Sequence, residues 1–381
     1  MDFELNEDQR IFQKSARDFL KKECPKDLVR NLADVDPGHS TELWQKMAAL
    51  GWMGLLVPEE YDGIGWSFVE QAVLLEEMGF TLCPAPFIST TILGAQTLVM
   101  AGNEEQKRDI LPNVVAGDLI LTMALTESDG GCEPSALDLM AVREGDEWVL
   151  NGIKLFVPDA LAADYILCVA RTSEDPIPEK GLTIFLVKAK TLGADITPLK
   201  TVSKDKQYEI NFSNVCLKPE SIIGPVDGAW PTIKTIISMA GLARAAETVG
   251  VMRAVLEMTV AYAKERVQFG RPIGSFQAIQ HYLADMWVDI LGARSLVMKA
   301  AWKLATGRPL DEATGMAKVM VGKAGRKATT TAHRIFGAIS FTMEHDLHLY
   351  HRRTLANDLK SGDSDFHYEQ IARGLGLCVK H

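Results

Sequence analysis

The sequence predicts a mostly α fold with a central β domain, and three observations carry that expectation. Apolar residues recur at helical spacing through residues 1–118. Short segments rich in β-branched and aromatic residues then occupy 119–228. Long amphipathic runs return over 229–381. The expected order is an N-terminal all-helical domain, a small β-barrel-like middle domain, and a C-terminal four-helix bundle joined by short loops.

In "NEDQRIFQKSARDFL", Phe12, Ala16 and Leu20 share one helical face and Asn6 is the expected N-cap. "STELWQKMAALG" repeats the logic, with Ser40 or Thr41 as cap, Leu43, Met47 and Leu50 as its apolar positions, and Gly51 as stop. "PEEYDGIGWS" reads as a Gly-rich loop, and "FVEQAVLLEEMG" and "ISTTILGAQTLVMAG" as helices. In the middle domain "EWVLNGIKLFV" reads as strand, Asn151-Gly152 turn, strand, because Asn-Gly accepts the positive φ of a tight hairpin. "DYILCVAR", "GLTIFLV" and "YEINFSNVCL" are further expected strands. The bundle helices are expected in "GLARAAETVGVMRAVLEMTVAYAKERV", "SFQAIQHYLADMWVDILGARSLVMKAAWKLA", "DEATGMAKVMVGKAGRKATTTAHRIFG" and "DLHLYHRRTLANDLKSG".

The net charge of -10 argues against a general nucleic-acid-binding face. It leaves room for a phosphorylated small ligand, which needs only a local cation cluster or a helix N-terminus. Cys24, Cys83, Cys132, Cys168, Cys216 and Cys378 form no CxxC pair, so no zinc site or other metal centre is expected. Scattered cysteines, no apolar signal core in "MDFELNEDQRIF" and no membrane-length apolar run make the cytoplasm the expected location. No GxGxxG follows a strand and opens a helix, so a Rossmann site is not expected.

Three stretches carry a family resemblance. "RVQFGRPIGSFQAIQHYLADM", from Arg266 to Met286, resembles the C-terminal signature of acyl-CoA dehydrogenases. "LTESDGG" at 125–131 resembles the family's mid-chain signature, and "MEHDLHLY" at 343–350 resembles its bacterial branches. The resemblance spans nearly the whole chain in order. It implies FAD, an acyl-CoA substrate, a homotetramer or a heterotetramer with a homologous subunit, and an electron-transferring flavoprotein as electron acceptor. It also implies site residues. Arg266 would pair with the FAD pyrophosphate, Phe269 would pack on the cofactor, and Gln268 and Gln277 would supply neutral hydrogen bonds, across a subunit boundary. The competing reading makes Arg266 a helix C-terminal partner and Phe269 core. Leu125 and Thr126 would face the flavin pyrimidine, and Phe156 would lie against the flavin or serve as core.

The chain also departs from the family at functional positions. The family's α-proton acceptor, a Glu in a Glu-Gly-Thr-like segment, aligns with Ser361 of "KSGD". The alternative position on the first bundle helix aligns with Ala240. Asp363 is then the expected base ahead of Glu247, against the reading that it is a turn residue. "HRIFGAISFT" replaces a Gln and a glycine-rich loop, leaving Arg334 and Gly337 as expected cofactor contacts. Cys132 stands at the usual Ser. The family's Arg aligns with Gly241, and Arg244, one turn on, is expected to hold CoA or to form a salt bridge. Two functions follow as expectations: an FAD-dependent acyl-CoA dehydrogenase with an atypical base, or a half-site subunit that completes a homologous catalytic chain.

Overall fold

A computed structural model describes residues 4–377. In chain order the helices are α1 (Glu7–Glu23), α2 (Lys26–Ala33), α3 (Thr41–Ala49), α4 (Phe68–Thr81), α5 (Gln96–Ala101), α6 (Glu104–Val115), α7 (Trp230–Glu265), α8 (Gln277–Ala305), α9 (Asp311–Phe336), α10 (Leu347–Leu359) and α11 (Ser364–Gly374). The strands are β1 (Leu121–Ala124), β2 (Met140–Glu144), β3 (Glu147–Pro158), β4 (Tyr165–Arg171), β5 (Leu182–Lys188), β6 (Ala194–Leu199), β7 (Gln207–Leu217), β8 (Ile222–Ile223), β9 (Val267–Gln268) and β10 (Arg271–Pro272). The chain divides into two compact units. One comprises 1–31, 68–83 and 241–381; the other comprises 32–67 and 84–240.

The second unit is built on one sheet, ordered β6-β7-β3-β2-β4-β5-β8, with β1 added parallel to β4. Its core gathers Trp148, Leu150, Ile166, Phe185, Tyr208 and Phe212, all buried. Burial of such side chains stabilises by about 1.5–3 kcal/mol each. The expected Asn151-Gly152 hairpin does not form. β3 runs unbroken through both residues, and the Asn151 side chain accepts the Asn214 N–H of β7 at 2.8 Å. Gly152 has φ 140, a backbone conformation that favours glycine, and marks a register shift against β7 rather than a tight turn. The turn lies earlier, at Gly145-Asp146, where Glu144 pairs with Glu147 and Gly145 supplies φ 64. "ISTTILGAQTLVMAG" is helical as expected, but Ser89–Ala95 is a π-helical turn that leads into α5.

The first unit opens with α1, capped by Asn6 in a reciprocal box with Gln9. Its centre is ionic. Glu76 and Glu77 of α4 are buried and meet Arg253 at 2.5 and 3.0 Å, while Arg17 reaches Glu77 at 2.8 Å and Arg294 reaches Glu76 at 2.9 Å. Every carboxylate thus faces two guanidinium groups, which offsets the desolvation of burying it. Beyond the four long helices expected, α11 packs beside α9.

Candidate functional site

In the β-containing unit, Leu125 and Thr126 follow directly from buried β1 and are half-buried. Their carbonyls are held from behind. The Lys154 ammonium donates to the Leu125 carbonyl at 3.0 Å, and the Leu155 N–H donates to the Thr126 carbonyl at 2.8 Å. Within the described residues the Thr126 hydroxyl makes no hydrogen bond. Phe156 has φ 51 and is 54% exposed, so it is not a core residue here. It lies where β3 slips register: Lys154 pairs with Ile210, but Val157 pairs with Tyr208. That bulge turns the Phe156 ring outward at the cost of an unfavourable backbone region. Cys132 is half-buried in the loop after Gly131 and is not in a disulfide.

In the helical unit, α7 ends at Glu265 and the chain makes the two-strand turn β9–β10 before α8. Phe269 sits at its tip with φ 53 and is 93% exposed, which removes the core alternative for it. Its ring meets Phe276 edge-on at 6.2 Å, and Arg271 lies over Phe276 at 4.2 Å. Arg266 is exposed, and its guanidinium has no ion pair among the described residues. Gln268 and Gln277 are also exposed; Gln268 turns back to the Val267 carbonyl at 2.8 Å, and Gln277 is the first residue of α8. Gly337 ends α9 with φ 70, and the turn after it exposes Ile339 and Phe341. Arg334, in the last turn of α9, is exposed.

The expected base region is rigidly tied. Lys318 is buried, and its ammonium donates to the carbonyls of Asn357, Asp358 and Lys360 at 2.6, 3.2 and 2.8 Å. This neutralises the C-terminal end of α10. Ser361 follows with φ 58, and its carbonyl faces His367 Nε2 at 3.1 Å, so that nitrogen carries the proton. Burial, reinforced by the Lys318 charge, pushes the His367 ring down to about 4. Gly362 has φ 89, and a Cβ there would lie 2.3 Å from the Phe366 ring. Asp363 is the N-cap of α11, its Oδ1 accepting the Phe366 N–H at 2.9 Å.

Glu247 has a different employment. Burial pushes its carboxyl up, but Arg353, Arg244 and the Asn357 amide outweigh burial and hold it below the usual range. Arg353 approaches at 2.6 Å, Asn357 at 2.8 Å and Arg244 at 3.6 Å. Arg244 is therefore a largely buried ion-pair partner in this chain rather than a surface one. Ala240 is buried and apolar. Sequence reading missed Lys154, Glu127, Lys318 and His367. The available signals were a lysine inside an apolar strand and one inside the apolar face of a long helix.

Residues 6–118 match the N-terminal domain of acyl-CoA dehydrogenases, 122–215 the middle domain and 228–376 the C-terminal domain. The chain belongs to the acyl-CoA dehydrogenase family. It is 32% identical to a probable acyl-CoA dehydrogenase of Bacillus subtilis, covering 98% of this chain and 100% of that one. Its fold resembles the ChsE4-ChsE5 complex from Mycobacterium tuberculosis, with TM-score 0.90, 26% identity and full coverage of both chains, 100% each. It also resembles PigA with FAD and proline, with TM-score 0.91, 26% identity, and 99% and 100% of the two chains covered. Among the described residues, no helix is long and apolar enough to cross a membrane.

Proposed function

We propose that this chain binds FAD and an acyl-CoA thioester and takes part in α,β-dehydrogenation. The observation that carries this is the edge formed by Leu125, Thr126 and Phe156. Two carbonyls are tied back, one hydroxyl is left without a hydrogen-bond partner among the described residues, and one aromatic ring is turned outward. A flat, apolar ring with hydrogen-bonding edges fits such a surface, and so does the exposed Arg266, Gln268, Phe269 and Gln277 group for a pyrophosphate-bearing cofactor. Bound FAD supplies the acceptor for the β-hydride. The protein must supply a group that takes the α-proton, and a carboxylate in a water-poor site is suited to that. Asp363 is the carboxylate proposed here, with Arg244 proposed toward CoA. An electron-transferring flavoprotein is the proposed electron acceptor.

A second reading has specific support. Ser361 offers no carboxylate, Asp363 caps a helix and Glu247 is ion-paired, so the chain holds no uncommitted carboxylate at these positions. In this reading the chain is one subunit of a heteromer with a homologous catalytic chain and lends it Arg266, Gln268 and Phe269. Likeness to the ChsE4-ChsE5 complex supports it.

The test is the flavin-to-chain ratio and acyl-CoA turnover of the purified chain, alone and with a homologous partner. One flavin per chain with turnover alone supports the self-sufficient enzyme. Turnover that appears only with the partner supports the half-site subunit, and Ser361→Glu is then expected to raise turnover of the chain alone. Absence of flavin in both preparations overturns both readings.

A further inference from the structure

Lys154 is 0% exposed and its partner Glu127 nearly so at 11%, an expensive arrangement in the middle of an apolar strand. The ammonium meets Glu127 Oε1 at 2.5 Å and the Leu125 carbonyl at 3.0 Å. Glu127 is fixed in turn. Its oxygens accept the N–H groups of Asp138 and Leu139 at 3.0–3.1 Å, which anchors the loop leading into β2. One ion pair therefore joins three segments: the 125–127 turn, the 138–139 loop entry, and the β3 bulge that projects Phe156. A buried pair of this kind adds little net stability over apolar residues of similar volume. What it adds is geometry, because an ammonium aimed at a carbonyl dictates which way the peptide faces.

We propose that Lys154, through its ion pair with Glu127, is a positioning residue that holds the Leu125–Thr126 backbone and the Phe156 ring as the flavin-facing edge of the β domain. With the Leu125 and Thr126 carbonyls drawn inward, the Thr126 hydroxyl, which makes no hydrogen bond among the described residues, is left to face a ligand. Release of the Leu125 carbonyl frees that peptide to rotate and presents an acceptor where a donor is needed. The inference rests on the FAD reading above.

The experiment compares the full chain, with its partner if the wild type needs one, with Lys154→Met, Lys154→Arg and the double variant Lys154→Met/Glu127→Leu. FAD affinity, the visible flavin band and the flavin midpoint potential are measured beside thermal stability of the flavin-free protein. Lys154→Met strands the Glu127 charge, so its stability falls; the double variant removes that charge and regains stability. The double variant is nevertheless expected to bind FAD at least tenfold more weakly, with an altered flavin band and potential, and Lys154→Arg is expected to recover part of the affinity. A stable double variant with wild-type affinity, spectrum and potential overturns the proposal and leaves the FAD reading standing. A wild type that takes up no FAD, alone or with a partner, overturns both.

Discussion

Replacement of Asp363 by Ala and by Asn separates two jobs that the same side chain could hold. Its Oδ1 accepts the Phe366 N–H at 2.9 Å and caps α11. Loss of an Asp N-cap to Ala costs about 1 kcal/mol, whereas Asn retains an acceptor oxygen and costs only a few tenths. For a unit of this size about 1 kcal/mol corresponds to a Tm decrease of about 2–4 °C. Asp363→Ala is therefore expected to lower Tm by that amount, while Asp363→Asn stays near wild type. Turnover follows a different rule. A proton acceptor contributes about 10²–10⁴-fold, and Asn cannot accept the proton. If Asp363 takes the α-proton, both variants lose turnover by at least about a hundredfold, although only Ala loses stability. Thermal unfolding followed by circular dichroism, with single-turnover flavin reduction by an acyl-CoA, reads the two quantities separately. Full turnover in Asp363→Asn removes Asp363 as the base. An unchanged Tm in Asp363→Ala refutes the capping argument.

Two further outcomes follow from the buried charges in the helical unit. Glu247→Ala leaves Arg353 and Arg244 without their carboxylate and is expected to destabilise by about 3–5 kcal/mol in urea unfolding, with Glu247→Gln losing less because it keeps the Asn357 contact. His367 has its ring held down at about 4 against an ordinary 6.5, so it folds neutral. Its contribution is present above pH 6.5 and is lost as pH falls toward 4, by about 3 kcal/mol at about 1.4 kcal/mol per pH decade. A His367→Gln variant is expected to show a flatter stability profile over that window, and a profile parallel to wild type would refute the assignment.

The amino-acid sequence by itself determined the order of helices, sheet and helices and the caps of α1 and α3, whereas α7 begins at Trp230, eleven residues before its expected start at Gly241. Asn6 and Ser40 cap their helices because a cap is a contact across three residues, and its signal is complete within one short stretch. The motif stretches that carry the family likeness were legible for the same reason. Tertiary structure decided matters that depend on partners far along the chain. Both Gly145-Asp146 and Asn151-Gly152 are turn-compatible pairs. Only the pairing of β3 with β7 selected the first, and that pairing joins residues some sixty positions apart through Asn151 and Asn214. The roles of Asp363, Glu247 and Arg244 were ambiguous in sequence because a carboxylate or guanidinium takes its employment from its neighbours. Here those are the Phe366 N–H and a buried set of Arg353, Asn357 and Arg244 around Glu247. Lys154 and Lys318 were invisible as site-shaping residues, since a lysine's buried destination appears only when carbonyls and carboxylates from other segments converge on its ammonium.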